Sequence, residues 1–428
     1  MTMRRYLDPI EEMFVNVPLV TFPVAYRGTI DEPRLARAFS RLATRHPILR
    51  GRISNDQHGN LLQVRPDYGS EFAVLDGDLA SLLAEIKKPW NTAQAVSQLL
   101  LVRNQAQGYL ALRLSHSIAD GGAYFYLLDE LWQGYADLAR PGELAIEPGA
   151  GLPISPYTLF ERYRPRAISE TFGIADSDTA LSDTALSGTA LSGTAPIELD
   201  DPIHRRLSLS QPETQQLISA ARANATTVYA LIGGALALAH ARYDGMAPRA
   251  GTVMRIRSDI NLRNHVSPRV APYAVTNFSA PHFASIRLDT TTDPVKLGQA
   301  MRDQLTSSLT DLQSAIVTGE ILVPGFSSIN SADLLHTVTD VAFCVNNLGV
   351  IPRLAQVDGL VITDLLELPY WRIEPWSSGI HRMHTFHDRL SVASFYPGSR
   401  FGEDEATRLR DILAVQLSSI IGSPIAAS

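Results

Sequence analysis

A mixed α/β chain built in two similar halves is the fold class that the sequence predicts, and three observations carry it. Stretches with the helical apolar period alternate with stretches of strand period from one end of the chain to the other. A low-complexity segment, Asp176 to Pro196, cuts that alternation in two. The length of 428 residues, 45% of them hydrophobic, suits two domains or one large α/β unit with a sizeable core.

In the first half, Asp31-Glu32-Pro33 opens a helix: Asp31 can cap it, Pro33 is tolerated in the first turn, and Leu35, Phe39, Leu42 and Ala43 share one face. Strand patterns follow at Leu61 to Val64 and at Gln98 to Arg103. Tyr109 to Leu114 alternates with Leu110, Leu112 and Leu114 on one side, and a helix carrying Tyr124, Leu127, Leu128, Leu131 and Trp132 comes next. In the second half, His204 to Leu209 reads as a strand. Ser210-Gln-Pro-Glu213 then has the spacing of a capping box, in which the serine hydroxyl and the glutamate satisfy each other's backbone N–H groups. The span Thr226 to Tyr243 is apolar on every side, which predicts a buried helix. Strands are expected at Gly251 to Ile256, Val341 to Asn346 and Leu390 to Tyr396, and a last amphipathic helix over Glu403 to Ile420.

The dividing segment repeats TALSD or TALSG from Thr179 and has neither aromatic nor basic residues. It offers too little apolar surface to offset the entropy of ordering its backbone, and its unit is too short for a solenoid. It reads as a flexible linker, giving an N-terminal subdomain at 1–172, a linker at 173–200 and a C-terminal subdomain at 201–428.

With 37 Lys plus Arg against 44 Asp plus Glu, the net charge is −7, and no basic patch stands out. Nucleic acid and anionic membranes are therefore poor partners. The single cysteine, Cys344, excludes an internal disulfide and any multi-cysteine metal site and fits a reducing compartment. No metal is expected. The opening MTMRRYLDPIEEMF meets acidic residues where a signal peptide needs an apolar run, and the longest apolar stretch, Val228 to Ala241, is too short to span a bilayer. A cytoplasmic protein without a transmembrane segment is expected.

Phosphate-binding and serine-hydrolase signatures are absent, and one chemical candidate survives: Ser115-His116-Ser117-Ile118-Ala119-Asp120-Gly121-Gly122. The spacing alone does not single it out, because His240/Asp244, His336/Asp340 and His384/Asp388 share it. Context does. His240 ends the apolar helix, where a histidine suits the negative dipole end and a structural role. His336 has no glycine after its Asp, and His384 lies in an Arg- and His-rich stretch that reads as a substrate-facing, solvated or ion-paired loop. His116 instead follows a cleanly alternating strand, and Gly121-Gly122 let the chain turn and leave room beside the ring. A neutral imidazole so held suits general-base catalysis, taking a proton from an attacking hydroxyl, amine or thiol. A structural histidine at a strand end is the alternative. Ser115 and Tyr124, flanking the motif, are candidates to touch substrate.

HSIADGG resembles the His-x-x-x-Asp-Gly motif of the acyltransferase superfamily that includes chloramphenicol acetyltransferase, plant acyltransferases and nonribosomal peptide condensation domains. The opening Arg5 to Phe14 resembles the start of its polyketide-associated branch, Ala38 to Arg50 its first helix and turn, and His204 to Leu238 the start of its C-terminal subdomain. Asp259-Ile-Asn-Leu-Arg263 is similar to the segment whose arginine pairs with the motif aspartate, and Thr276-Asn-Phe-Ser and Asn346-Asn347-Leu-Gly resemble crossover segments. Departures point within the superfamily: the Asp-Phe-Gly-Trp-Gly motif of the plant branch is missing, and Ser115 stands where condensation domains carry a second histidine.

The resemblance implies two chloramphenicol-acetyltransferase-like subdomains in a V, with His116 at their interface in a channel open on both faces. It implies His116 as general base, Asp120 as a structural residue paired with Arg263, and Gly121, Gly122 and Asn347 in support. The implied activity is transfer of an acyl group from a coenzyme A or acyl-carrier-protein thioester to an alcohol, forming an ester in polyketide, lipid or other secondary metabolism. No permanently bound cofactor and a monomer are expected. A non-catalytic carrier-docking scaffold on the same fold, an amide-forming condensation-type enzyme, and a hydrolase are the alternatives.

Overall fold

The first half builds two sheets and packs two long helices against the larger one. The computed structural model describes residues 2–12, 14–15, 19–105, 107–139, 149, 151–156, 158, 202–243, 251–265, 269–271, 273–288, 293–318, 341–368 and 378–425. Strand β1 (Met3–Tyr6) leads into a one-turn helix α1 (Pro9–Glu12), and β1 pairs antiparallel with β4 (Gly59–Val64), which pairs with β3 (Arg52–Asp56). The second sheet contains β2 (Val24–Gly28), β5 (Glu71–Asp76), β6 (Ser97–Arg103) and β7 (Gln107–Leu114), with β5 and β6 parallel and the other pairs antiparallel. Helix α2 (Glu32–Arg45) starts as expected, the Asp31 carboxylate accepting from Arg34 N–H, and buries Leu35, Ala38, Phe39, Leu42 and Ala43. A shorter helix, α3 (Leu79–Lys87), precedes β6, and α4 (Gly121–Asp137) buries Tyr124, Leu127, Leu128, Leu131 and Trp132 against the same core.

In the second half, β8 (Ile203–Ser208) leads to α5 (Gln211–Ala223), whose capping box between Ser210 and Glu213 is formed. Helix α6 (Val228–Arg242) has eleven consecutive buried residues from Tyr229 to Ala239, as its all-round apolar character requires. Helix α7 (Pro294–Thr318) crosses it at Gly234 and Gly298, where a β-carbon on Gly234 would sit 2.3 Å from the Pro294 carbonyl oxygen. The two backbones therefore meet only because side chains are missing there. A six-stranded sheet runs in the order β10 (Ser279–Arg287), β9 (Val253–Asn261), β11 (Val341–Val350), β13 (Ile380–Phe386), β14 (Arg389–Tyr396), β8, and α8 (Glu403–Ile421) closes the chain.

Two features depart from the sequence reading. The stretch around His384, expected as a loop, is the buried strand β13, because partners from other elements neutralise its polar side chains: His381 meets Ser394, Arg382 donates to the Leu368 carbonyl, and His384 meets Glu367. Strand β9 runs five residues past the expected end at Ile256, through the polar Ser258 and Asp259, because β10 pairs along all nine of its residues.

The halves are also tied together. Strand β12 (Leu360–Leu365) comes from the second half but pairs antiparallel with β2 at the edge of the first half's sheet. Arg206 on β8 grips the Asp364 carboxylate of β12 with two hydrogen bonds, 2.7 and 3.0 Å. The Asp176 to Pro196 segment and His336 lie outside the described residues. No helix among the described residues is long and apolar enough to cross a membrane.

Candidate active site

Strand β7 delivers the motif to the junction of the halves. After Leu114 the Ser115 N–H continues the sheet onto the Val96 carbonyl at 2.8 Å, and Ile118 N–H closes a turn on the Ser115 carbonyl at 3.0 Å. Asp120 then caps α4, its Oδ1 accepting from Ala123 N–H at 2.9 Å. Strand, turn and cap fix both ends of a short loop, and His116 sits inside it.

The other oxygen of Asp120 reaches across to the second half. Arg263, in the 3-10 turn Leu262–Asn264 after β9, donates from Nη1 to Asp120 Oδ2 at 2.6 Å, and Phe278 N–H donates to the same oxygen at 2.7 Å. Arg263 Nη2 donates to the Thr276 carbonyl at 2.6 Å. Both side chains are about 5% exposed, so neither charge has water to fall back on. The carboxylate is turned into this network rather than toward the imidazole. Gly122 makes the approach possible, since a β-carbon there would lie 2.6 Å from Asn261 Nδ2 and 3.2 Å from Arg263 Nη1.

His116 is held from three directions. Asn277 Nδ2 donates to the His116 carbonyl at 3.1 Å and lies 3.2 Å from Nδ1. The backbone carbonyls of His116 itself and of Ala119 lie close enough to the ring to favour its protonated form. Phe14 stacks on one face with ring centroids 4.5 Å apart and planes 27° from parallel. The ring is surrounded by protein, although the residue as a whole is only half-buried. Burial holds its pKa below the ordinary imidazole value, outweighing the opposing pull of the backbone carbonyls, Asp120 and Asp259. At neutral pH the ring is therefore uncharged, and an uncharged imidazole carries one nitrogen lone pair that can take a proton.

Other expected site residues fall elsewhere. Asn347 is exposed and its Oδ1 accepts from Gly349 N–H at 2.9 Å. The strand's alternation sends Asn346 instead toward the active-site side, where it bonds both the backbone N–H and the carboxylate of Asp259. Tyr124 is fully buried and its hydroxyl donates to the Phe22 carbonyl at 2.9 Å, so it serves the core and does not face a ligand. Ser115 is 1% exposed, pinned by its backbone to Val96. Gly121 lies 3.7 Å, by its would-be β-carbon, from Leu348 and has space to spare.

Two of the competing histidines, His240 and His384, are packed within the second half. His240 Nε2 lies 2.9 Å from His381 Nε2, and its ring stacks on Phe343. His384 Nδ1 lies 2.6 Å from the Glu367 carboxylate, and both side chains are buried. Asn277 and Phe14 were absent from the expected site, as no spacing rule links them to His116: Asn277 is 161 residues away. Among the described residues no group of three or more His, Cys, Asp or Glu is placed to hold a metal ion.

The chain is similar to known proteins in sequence and in fold. Residues 201–403 match the model of the phthiocerol/phthiodiolone dimycocerosyl transferase C-terminus. The phthiocerol/phthiodiolone dimycocerosyl transferase of Mycobacterium leprae is 25% identical over 300 residues, 67% of this chain and 69% of that protein. Among solved structures, polyketide synthase associated protein 5 from Mycobacterium tuberculosis superposes with a TM-score of 0.69 at 18% identity, covering 97% of each chain. The first condensation domain of the calcium-dependent antibiotic synthetase gives 0.66 at 15% identity, covering 99% of this chain and 98% of that one. These findings bear out the two-subdomain fold and the resemblance to the acyltransferase superfamily and its polyketide-associated branch.

Proposed function

We propose that this acyltransferase, kin by fold and sequence to the polyketide-associated branch and so to lipid and polyketide metabolism, moves an acyl group from a thioester to an alcohol with His116 as general base. The imidazole takes the proton of the acceptor hydroxyl as the alkoxide oxygen forms its bond to the thioester carbonyl carbon. The tetrahedral oxyanion collapses, the carbon–sulfur bond breaks, and the imidazolium returns its proton to the departing thiolate, so the ring ends neutral. The donor thiol is that of coenzyme A or of an acyl carrier protein, and no permanently bound cofactor takes part.

The observation that carries the reading is the imidazole held between Asn277 and Phe14 at the junction of the halves, where burial favours its neutral form. Asp120 acts through structure: with Arg263 and Phe278 it fastens the motif loop of one half to the other half. Asn277 orients the ring. The relatives are named for moving dimycocerosyl groups to phthiocerol or phthiodiolone, which supports a lipid-like acyl donor and an alcohol acceptor here.

The test incubates the protein with a panel of acyl-coenzyme A and acyl-carrier-protein thioesters, with and without alcohols and amines, and follows thiol release and product mass. Thiol release that requires an alcohol, with the ester mass appearing, is expected. Release without any acceptor would assign a hydrolase, an amide product a condensation-type enzyme, and binding without turnover a scaffold.

A further inference from the structure

The N-terminal segment reaches the place where the chemistry is proposed to occur, and a cluster of charged and backbone contacts anchors it. Arg5 on β1 makes a two-pronged pair with Glu11 on α1, at 2.5 and 2.7 Å, and the Glu11 side chain is 1% exposed. Asp8 and Glu11 cap each other: Asp8 N–H donates to Glu11 Oε2 at 3.0 Å and Glu11 N–H to Asp8 Oδ1 at 2.8 Å. Glu12 accepts from Asn60, and Leu7 N–H donates to the Asn60 carbonyl at 2.8 Å. One turn beyond this knot, Phe14 N–H bonds the Glu11 carbonyl at 3.1 Å, and the Phe14 ring lies on His116. A buried, fully paired carboxylate thus fixes the turn that places one phenyl ring.

We infer that Phe14 is a positioning residue for His116: the knotted segment holds its ring flat against the imidazole, fixing the ring's orientation and keeping water from one of its faces. A stack of this kind restricts rotation about the histidine side chain and removes solvent that would stabilise the imidazolium. The charged groups around His116 are Asp120, already paired with Arg263, and Asp259, paired with Arg257 and Asn346. Both carboxylates draw a proton onto the ring, and Phe14 is the apolar counterweight. The consequence for turnover rests on the reading of His116 as base, whereas the effect on the imidazole itself does not.

The test uses the full chain and Phe14→Ala and Phe14→Leu, the second keeping most of the apolar bulk without the ring. Carbethoxylation by diethyl pyrocarbonate, read residue by residue by peptide mass across pH, reports exposure and titration of His116, with the exposed His58 as internal reference. Phe14→Ala should speed the reaction of His116 by roughly tenfold or more relative to His58, as expected when local protection is removed, and should move its titration up toward the ordinary imidazole range. Phe14→Leu should fold normally and fall between. The acid limb of kcat/KM should move up with the titration. Unchanged titration and reactivity of His116 in both variants would overturn the positioning role. A titration that shifts without the acid limb following would leave Phe14 in its role and count against His116 as the base.

Discussion

At the scale of single residues, the Asp120–Arg263 pair is where loss of one group should hurt most. Two charges this deeply buried rely on one another, so Asp120→Ala or Arg263→Ala alone leaves an uncompensated charge and should cost ~3 to 5 kcal/mol. The double mutant should lose much less than the sum of the two, as denaturant unfolding of all four proteins would show. Additive losses would mean that the pair does not act as a unit. Local signals, strand alternation and a glycine pair, marked His116, whereas Arg263 as the partner of Asp120 came from the family resemblance of the Asp259-to-Arg263 segment. Asn277 and Phe14 were not, because nothing local marks residues that meet only through tertiary folding. Asn347, expected in support, is exposed and bonds Gly349, while its neighbour Asn346, on the opposite face of the strand, reaches Asp259.

At the scale of elements, the start of α4 distinguishes its two glycines. Gly122→Ala would push a methyl group into Asn261 and Arg263 and should cost ~1 to 3 kcal/mol, while Gly121→Ala should be close to neutral. Thermal melts of both variants check this, and equal effects would contradict the packing described. The pairing of α6 with β13 gives a second prediction. Burial holds the His240 pKa down to about 4 and that of His381 well below its ordinary value, the latter also through His240. In the unfolded chain both titrate near 6.5, so below that pH the unfolded state binds more protons. Stability should thus be fully present above about 6.5 and fall as pH drops toward 4, with a shallower slope in His240→Gln. An identical slope in melting temperature against pH would show that the pair carries no such linkage. Elements with a continuous period, such as α2, α5 and β7, were readable in advance. Strand β13 was not, because His381, Arg382 and His384 lose their polar character only to partners on β14 and in the segment after β12.

At the scale of the molecule, the two halves are held by contacts that bypass any direct link through the repeat. Strand β12 pairs with β2, Arg206 grips Asp364, and Asp120 meets Arg263. The division into 1–172, a linker at 173–200 and 201–428 is therefore proposed for the covalent chain, with β12 crossing it in space. Deleting Asp176 to Pro196, or replacing it by Gly/Ser of equal length, should leave melting temperature and turnover nearly unchanged. A large loss of either would place the repeat inside the packed structure. The two-half α/β plan was legible because periodicity and the repeat both show in the sequence, whereas the crossover of β12 depends on pairing between distant strands. The account as a whole depends on His116 acting as a neutral base at the seam of these halves. Its most direct test is kcat/KM against pH for the wild type and His116→Ala with a competent thioester and alcohol. Wild-type activity should rise with pH through a value below the ordinary imidazole pKa, because only the neutral ring accepts a proton and burial keeps it neutral to lower pH. His116→Ala should lower turnover by about 10² to 10⁴ and lose that acid limb, with donor binding changed by no more than a few fold. Turnover in His116→Ala at the wild-type rate, with the acid limb intact, would contradict the assignment.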